Sequence, residues 1–132
     1  MADFTGTPLA TKLGVKPNST LVILRAPITF SVEVPPKVVV RRRAIAPADV
    51  VMVFVTRAEL LRRDIETLSQ SIFPNGALWV AWPKKASGVS NDITDHVVRQ
   101  VALPLGLVDN KVCAIDEYWT GLRLVWRSQN RQ

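Results

Sequence analysis

Lys84, Lys85, Ser87 and Gly88 share one short stretch, Trp82 to Gly88, which reads W-P-K-K-A-S-G. Two ammonium groups, a hydroxyl and a glycine that admits close backbone approach are what a loop needs to hold an anionic group. Ser90-Asn-Asp92 follows, with side-chain oxygens suited to capping a helix. The free N–H groups and dipole of that helix start would add to the attraction. A second polar cluster, Asp116-Glu-Tyr-Trp-Thr-Gly121, brings two carboxylates and an indole. Two readings stand side by side: the lysines face an anionic ligand, or they pair with Asp116 or Glu117 and hold that segment in place.

Residues for covalent or acid–base chemistry are sparse. His96 is the only histidine, four residues after Asp92 on an expected helix, where it suits a local contact. Cys113, the single cysteine, sits between Val112 and Ala114 and reads as an inert, buried strand thiol. It excludes an internal disulfide and a cysteine-based zinc cluster. Asp116 and Glu117 are adjacent, so on a strand they diverge, unlike the facing carboxylates of a glycosidase. No catalytic residue, cofactor or metal is assigned. Among the tryptophans, Trp79 reads as core, Trp82 and Trp119 as able to stack on a ligand, and Trp126 fits either role.

The elements that must position these residues follow from apolar patterning. Thr20–Leu24, Lys37–Val40, Val50–Val55 and Ala77–Trp82 read as buried strands, the third being a continuous β-branched and aromatic run. A short helix is expected over Thr7–Val15. A longer one spans Arg57–Ile72, where Leu61, Ile65, Leu68 and Ile72 form one apolar stripe. Thr56 and Glu59 match a capping box, and Glu59 with Arg63 an i,i+4 pair. A further helix carries Ile93, Val97 and Val101 and stops at Pro104 and Gly106. Leu107–Ile115 and Leu122–Arg127 close the chain as an antiparallel hairpin. Strands separated by helices or crossovers describe an α/β fold, a three-layer Rossmann-like domain with a mostly parallel sheet over residues 1–132.

The nucleotide fingerprint of such folds is missing. After the first strand the chain reads Leu24-Arg-Ala-Pro-Ile-Thr-Phe30, with no glycine for a phosphate turn. The second strand ends in Arg41, Arg42 and Arg43 where an acidic group would meet a ribose.

Composition sets wider bounds. The chain has 132 residues, 48% of them hydrophobic, and a formal charge of +6. That balance argues against disorder and favours anionic partners in general. The longest apolar runs fall far short of the ~20 residues needed to cross a bilayer. Met1-Ala-Asp-Phe-Thr-Gly shows no secretory signal. A cytoplasmic protein with no membrane partner is therefore expected.

From Asp49 to Arg127, the strand–helix–strand–helix–hairpin run resembles the second half of a class I methyltransferase, and Phe73-Pro-Asn-Gly-Ala-Leu-Trp-Val80 resembles the approach to its fifth strand. This resemblance implies about six strands in the order 2-1-3-4-6-5, the sixth antiparallel. Thr5-Gly-Thr-Pro-Leu9, Lys12-Leu-Gly14, Leu78-Trp-Val80, Trp82 to Gly88, Asp92 and Val98-Arg99 also resemble a family of small bacterial proteins, domain-of-unknown-function family 3052. The match continues through Gly106-Leu-Val-Asp109, Lys111-Val-Cys-Ala114, Asp116 and Trp119-Thr-Gly-Leu122, with Thr120 where that family usually has serine. It implies a relationship without an activity.

In that strand order the carboxyl ends form one rim, where ligands of open α/β sheets sit. The candidate ligand-binding residues are Lys84, Lys85, Ser87, Gly88, Arg25, Trp82, Trp119 and Asp116. The expected role is a non-enzymatic binding or regulatory domain whose partner is an anionic small molecule or a protein. The alternatives are a divergent S-adenosylmethionine-dependent methyltransferase and a nucleic-acid-binding protein using Arg41–Arg43 and the lysines. Oligomeric state is not legible, although Lys37–Val40 offers an edge for pairing.

Overall fold

Two strands are buried along their whole length, β3 (Val50–Phe54) and β4 (Ala77–Pro83). Their unbroken apolar runs demand a place with both faces covered, so they occupy the middle of the sheet. Around them the computed structural model, which describes residues 8–131, arranges β1 (Thr20–Leu24), β2 (Val39–Arg41), β5 (Leu107–Ala114) and β6 (Trp119–Trp126). The order is β2-β1-β3-β4-β6-β5. The first four strands run parallel, whereas β6 is antiparallel to β4 and to β5. Topology and order are those expected.

Alternation along β3 divides the core. Val51 and Val53 face one cluster, while Val50, Met52 and Phe54 face the other. On the first face lie α2 (Ala58–Ser71) and α3 (Asp95–Ala102). The stripe Leu61, Ile65, Leu68 and Ile72 is buried there against Leu78 and Val80. On the second face lies the short α1 (Leu9–Leu13) together with the long loop after β1, through Phe30, Val32 and Val34. The step from β1 to β2 moves one way across the sheet and that from β3 to β4 the other. Right-handed crossovers therefore fall on opposite faces.

Several element ends differ from expectation. Lys37–Val40 was a reasonable span from composition, yet β2 is only Val39–Arg41, since Lys37 takes a left-handed turn (φ 62°) before the strand. β6 begins at Trp119 rather than Leu122, because Thr120 and Gly121 pair with Ala114 and Cys113. Thr7, where the first helix was expected to start, lies outside the described residues. The capping box at Thr56 and Glu59 does not form, and neither side chain caps α2. Instead Ala58 N donates to Asp92 Oδ1 at 2.7 Å, and Asp92 N donates to the Thr56 carbonyl at 3.2 Å. Asp92 thus caps a helix earlier in the chain. α3 starts at Asp95, where Thr94 Oγ1 accepts from Val97 N at 3.1 Å. Ile93 lies before the helix, and Arg63 bonds Asp64 at 3.0 Å rather than Glu59. Among the described residues no helix is long and apolar enough to cross a membrane.

Candidate functional site

The carboxyl ends of β1, β3 and β4 and the tip of the β5–β6 hairpin meet at one rim, with Lys84 at its joint. Its backbone N–H donates to the Tyr118 carbonyl at 2.8 Å, continuing the β4–β6 ladder one step past the strand. Its ammonium group turns the same way and donates to the Asp116 carbonyl at 2.7 Å. The Asp116 carboxylate faces neither lysine. Asp116 Oδ1 accepts from Tyr118 N at 2.8 Å and Trp119 N at 2.9 Å, closing the tip as an Asx turn. Among the described residues no ion pair joins Lys84 or Lys85 to Asp116 or Glu117. The pairing thus runs from ammonium to peptide carbonyl, a geometry that residue types alone do not reveal.

Lys85–Ser87 forms a single 3₁₀ turn, and Gly88 ends it in the left-handed region at φ 76°. Ser87 Oγ donates to the Lys84 carbonyl at 2.7 Å and accepts from Val89 N at 3.2 Å. Ser87 is thus occupied in shaping the loop, and Gly88 serves the turn's exit. The lysine loop does not abut a helix start, since α3 begins at Asp95 and carries that acid in its own first turn. Lys85 is exposed, with no ion pair among the described residues.

On the other side of the rim Arg25 leaves β1 with φ 59° and binds the Asp64 carboxylate of α2. A hydrogen bond from Arg63 is the main cause that holds the Asp64 carboxyl below its ordinary range, with Arg25 adding to it against the cost of burial. At the end of β3, Phe30 from the loop after β1 packs on Phe54 with ring centroids 4.9 Å apart. Phe54 in turn meets the edge of Trp119 at 5.1 Å. Phe30 and Phe54 lie inside the second core cluster rather than open to a ligand, and Trp119, partly buried, packs against it.

Trp82 is only 8% exposed and belongs to the first core cluster. Trp79 and Trp126 are also buried, their indole N–H groups donating to the carbonyls of Leu13 and Ser69. Of the sequence-derived candidates, the structure brings Lys84, Lys85, Ser87, Asp116 and Trp119 together. Arg25 has its guanidinium engaged by Asp64, and Trp82 is buried in the core. The sequence reading missed Phe30, Phe54 and Asp64. Only the spacing of Pro27 and Phe30 carried a signal, for a turn that tucks its fourth residue inward; Phe30 N donates to the Pro27 carbonyl at 2.9 Å.

Among the nucleophile candidates, burial pushes the Cys113 thiol up, outweighing the opposite pull of Lys111 and Lys12. No group of three or more His, Cys, Asp or Glu side chains suited to a metal occurs among the described residues. A groove of about 550 Å³ lies away from the rim, between α2 and α3, over Ile65, Val101 and Leu105. It contains none of the rim cations; Arg62 and Glu66 are the charged residues that line it.

No protein-family model matches the chain, and no curated protein matches it. Solved structures do resemble it. An S-adenosylmethionine-dependent methyltransferase from Aquifex aeolicus superposes with a TM-score of 0.61 at 14% identity, over 88% of this chain and 86% of that one. A protein assigned as a methyltransferase from Thermoplasma acidophilum gives 0.54 at 9% identity, covering 97% and 77%. LepI, solved with SAH and a substrate analogue, gives 0.57 at 8% identity, over 90% of this chain but 39% of that one. At these identities the likeness is one of fold: the chain has the α/β Rossmann-like architecture of S-adenosylmethionine-dependent methyltransferases.

Proposed function

We propose that the chain is a binding or regulatory domain on the methyltransferase fold, which takes an anionic partner on its carboxyl-end rim. The observation that carries this reading is that the chain's own side chains engage one another at the switch point, the carboxyl ends of β1 and β3. Phe30, from the loop after β1, packs on Phe54 near the end of β3, Arg25 is tied to Asp64, and β2 ends in Arg41 rather than an acid. Around that closed centre Lys85, Arg57, Arg41, Arg42 and Arg43 remain exposed. The test is calorimetric titration with inorganic pyrophosphate as probe. Binding should weaken as salt rises and fall several-fold in a Lys85→Ala, Arg57→Ala protein; an identical isotherm for that variant would contradict the assignment.

A second reading, a divergent S-adenosylmethionine-dependent methyltransferase, is favoured by one specific observation. The Aquifex protein matches over most of both chains, so the compact size is shared with a methyltransferase. The comparisons support this second reading better than the first, whereas the residues at the switch point support the first. Saturable binding of S-adenosylmethionine would decide for the second. Membership of domain-of-unknown-function family 3052 fits either and rests on the sequence motifs alone, two of which meet in the structure. Lys84 of Trp82–Gly88 bonds Asp116 and Tyr118, directly before Trp119–Leu122.

A further inference from the structure

The rim carries apolar side chains as well as cations, and their placement points to the kind of partner. Ile28 is 101% exposed, Tyr118 51% and Val89 49%. Each stands on a different connection at the same end of the sheet: the loop after β1, the tip of the hairpin and the loop after β4. None is on a slack segment. Ile28 is a central residue of the turn closed by Phe30 N on the Pro27 carbonyl, with Phe30 buried beneath it. Tyr118 bonds through its N–H to Asp116 and through its carbonyl to Lys84. Val89 N is held by Ser87 Oγ. The contacts from Phe30 through Phe54 to Trp119 link the first loop to the hairpin.

Resting on the rim as the partner-binding surface, we propose that it docks peripherally on an anionic phospholipid surface, with Ile28, Val89 and Tyr118 entering the headgroup boundary and Arg41–Arg43, Arg57 and Lys85 facing the lipid phosphates. Apolar insertion and attraction of basic groups to anionic lipid add together in such binding. A fluid surface accommodates three separate knobs without matching sockets, which a folded partner would have to supply. Ile28 and Val89 offer a nucleic acid neither stacking nor hydrogen bonds, and among the described aromatic side chains of the rim Tyr118 alone stands exposed. The carboxylates at this end keep their charge: Asp92, Asp95 and Asp116 hold fixed places as a cap, an Arg99 partner and a turn acceptor, and Glu33 and Glu117 stand exposed, against the five exposed cations Arg41, Arg42, Arg43, Arg57 and Lys85. This surface contact differs from the sequence expectation of no membrane partner, which rested on the lack of a spanning segment.

The test is co-sedimentation of the full chain with vesicles of phosphatidylcholine alone and of phosphatidylcholine with phosphatidylglycerol. Binding to the anionic vesicles only, falling with salt, is expected. Ile28→Ser, at a side chain with no packing to lose, should weaken it about tenfold, and so should Arg41→Ser with Arg42→Ser and Arg43→Ser. Absence of binding to anionic vesicles at low salt would overturn the proposal, as would binding indifferent to Ile28→Ser. Retained affinity for pyrophosphate or for a single-stranded oligonucleotide in that case would overturn the lipid assignment alone and leave the rim an anion site. Loss of every anion would remove both.

Discussion

Lys84 and Lys85 are neighbours with different work. Lys84 donates to the hairpin through both its peptide N–H and its ammonium group, whereas Lys85 stands in solvent. Lys84→Ala should therefore cost about 1.5–3 kcal/mol, the range for a hydrogen bond involving a charged group, while Lys85→Ala should stay within about 0.5 kcal/mol. Urea unfolding of the two variants checks this, and equal losses would contradict the assignment. Asp64 has a depressed carboxyl, so its contribution to stability is present above about pH 4 and is lost as pH falls through its folded value. An Asp64→Asn protein should show a shallower loss of melting temperature between neutral and acid pH than the parent. At Cys113 the raised thiol predicts slow alkylation at neutral pH relative to a free cysteine peptide, measured with a maleimide or disulfide reagent.

At the scale of elements, α2 is held by a cap that comes from later in the chain. Asp92→Ala should destabilise the protein by about 1 kcal/mol, the usual value of an N-cap, with Thr56→Ala costing less. The opposite ranking in thermal unfolding would restore the local capping box. This contrast also explains what residue order made legible. The stripe from Leu61 to Ile72 and the runs Val50–Phe54 and Ala77–Trp82 are local signals, the first because burial repeats with the helical period and the others because they are unbroken apolar runs of strand length. The cap is not local, since Ala58 and Asp92 are 34 residues apart. Nor is the start of β6, where Thr120 and Gly121 join the ladder through their partners on β5 rather than through their own propensity. The lysine loop was legible as a polar exit from a strand, but the helix start credited to Ser90-Asn-Asp92 was displaced to Asp95 because Asp92 serves α2 instead.

For the molecule as a whole, strand order and the two covered faces were within reach of sequence, through topology rules and the resemblance to methyltransferases. The state of the central crevice was not. It depends on Arg25 meeting Asp64 39 positions away and on Phe30 turning inward from a loop rich in proline, contacts without periodicity. On the proposed reading, those contacts distinguish a binding domain on the methyltransferase fold from a chain that holds its cofactor. Isothermal titration calorimetry of the full chain with S-adenosylmethionine tests that separation most directly. With Phe30 seated on Phe54, no saturable heat is expected up to millimolar ligand, on the order of the weakest binding worth counting. A one-to-one isotherm at about micromolar affinity would contradict the closed crevice and make the chain a cofactor-binding methyltransferase.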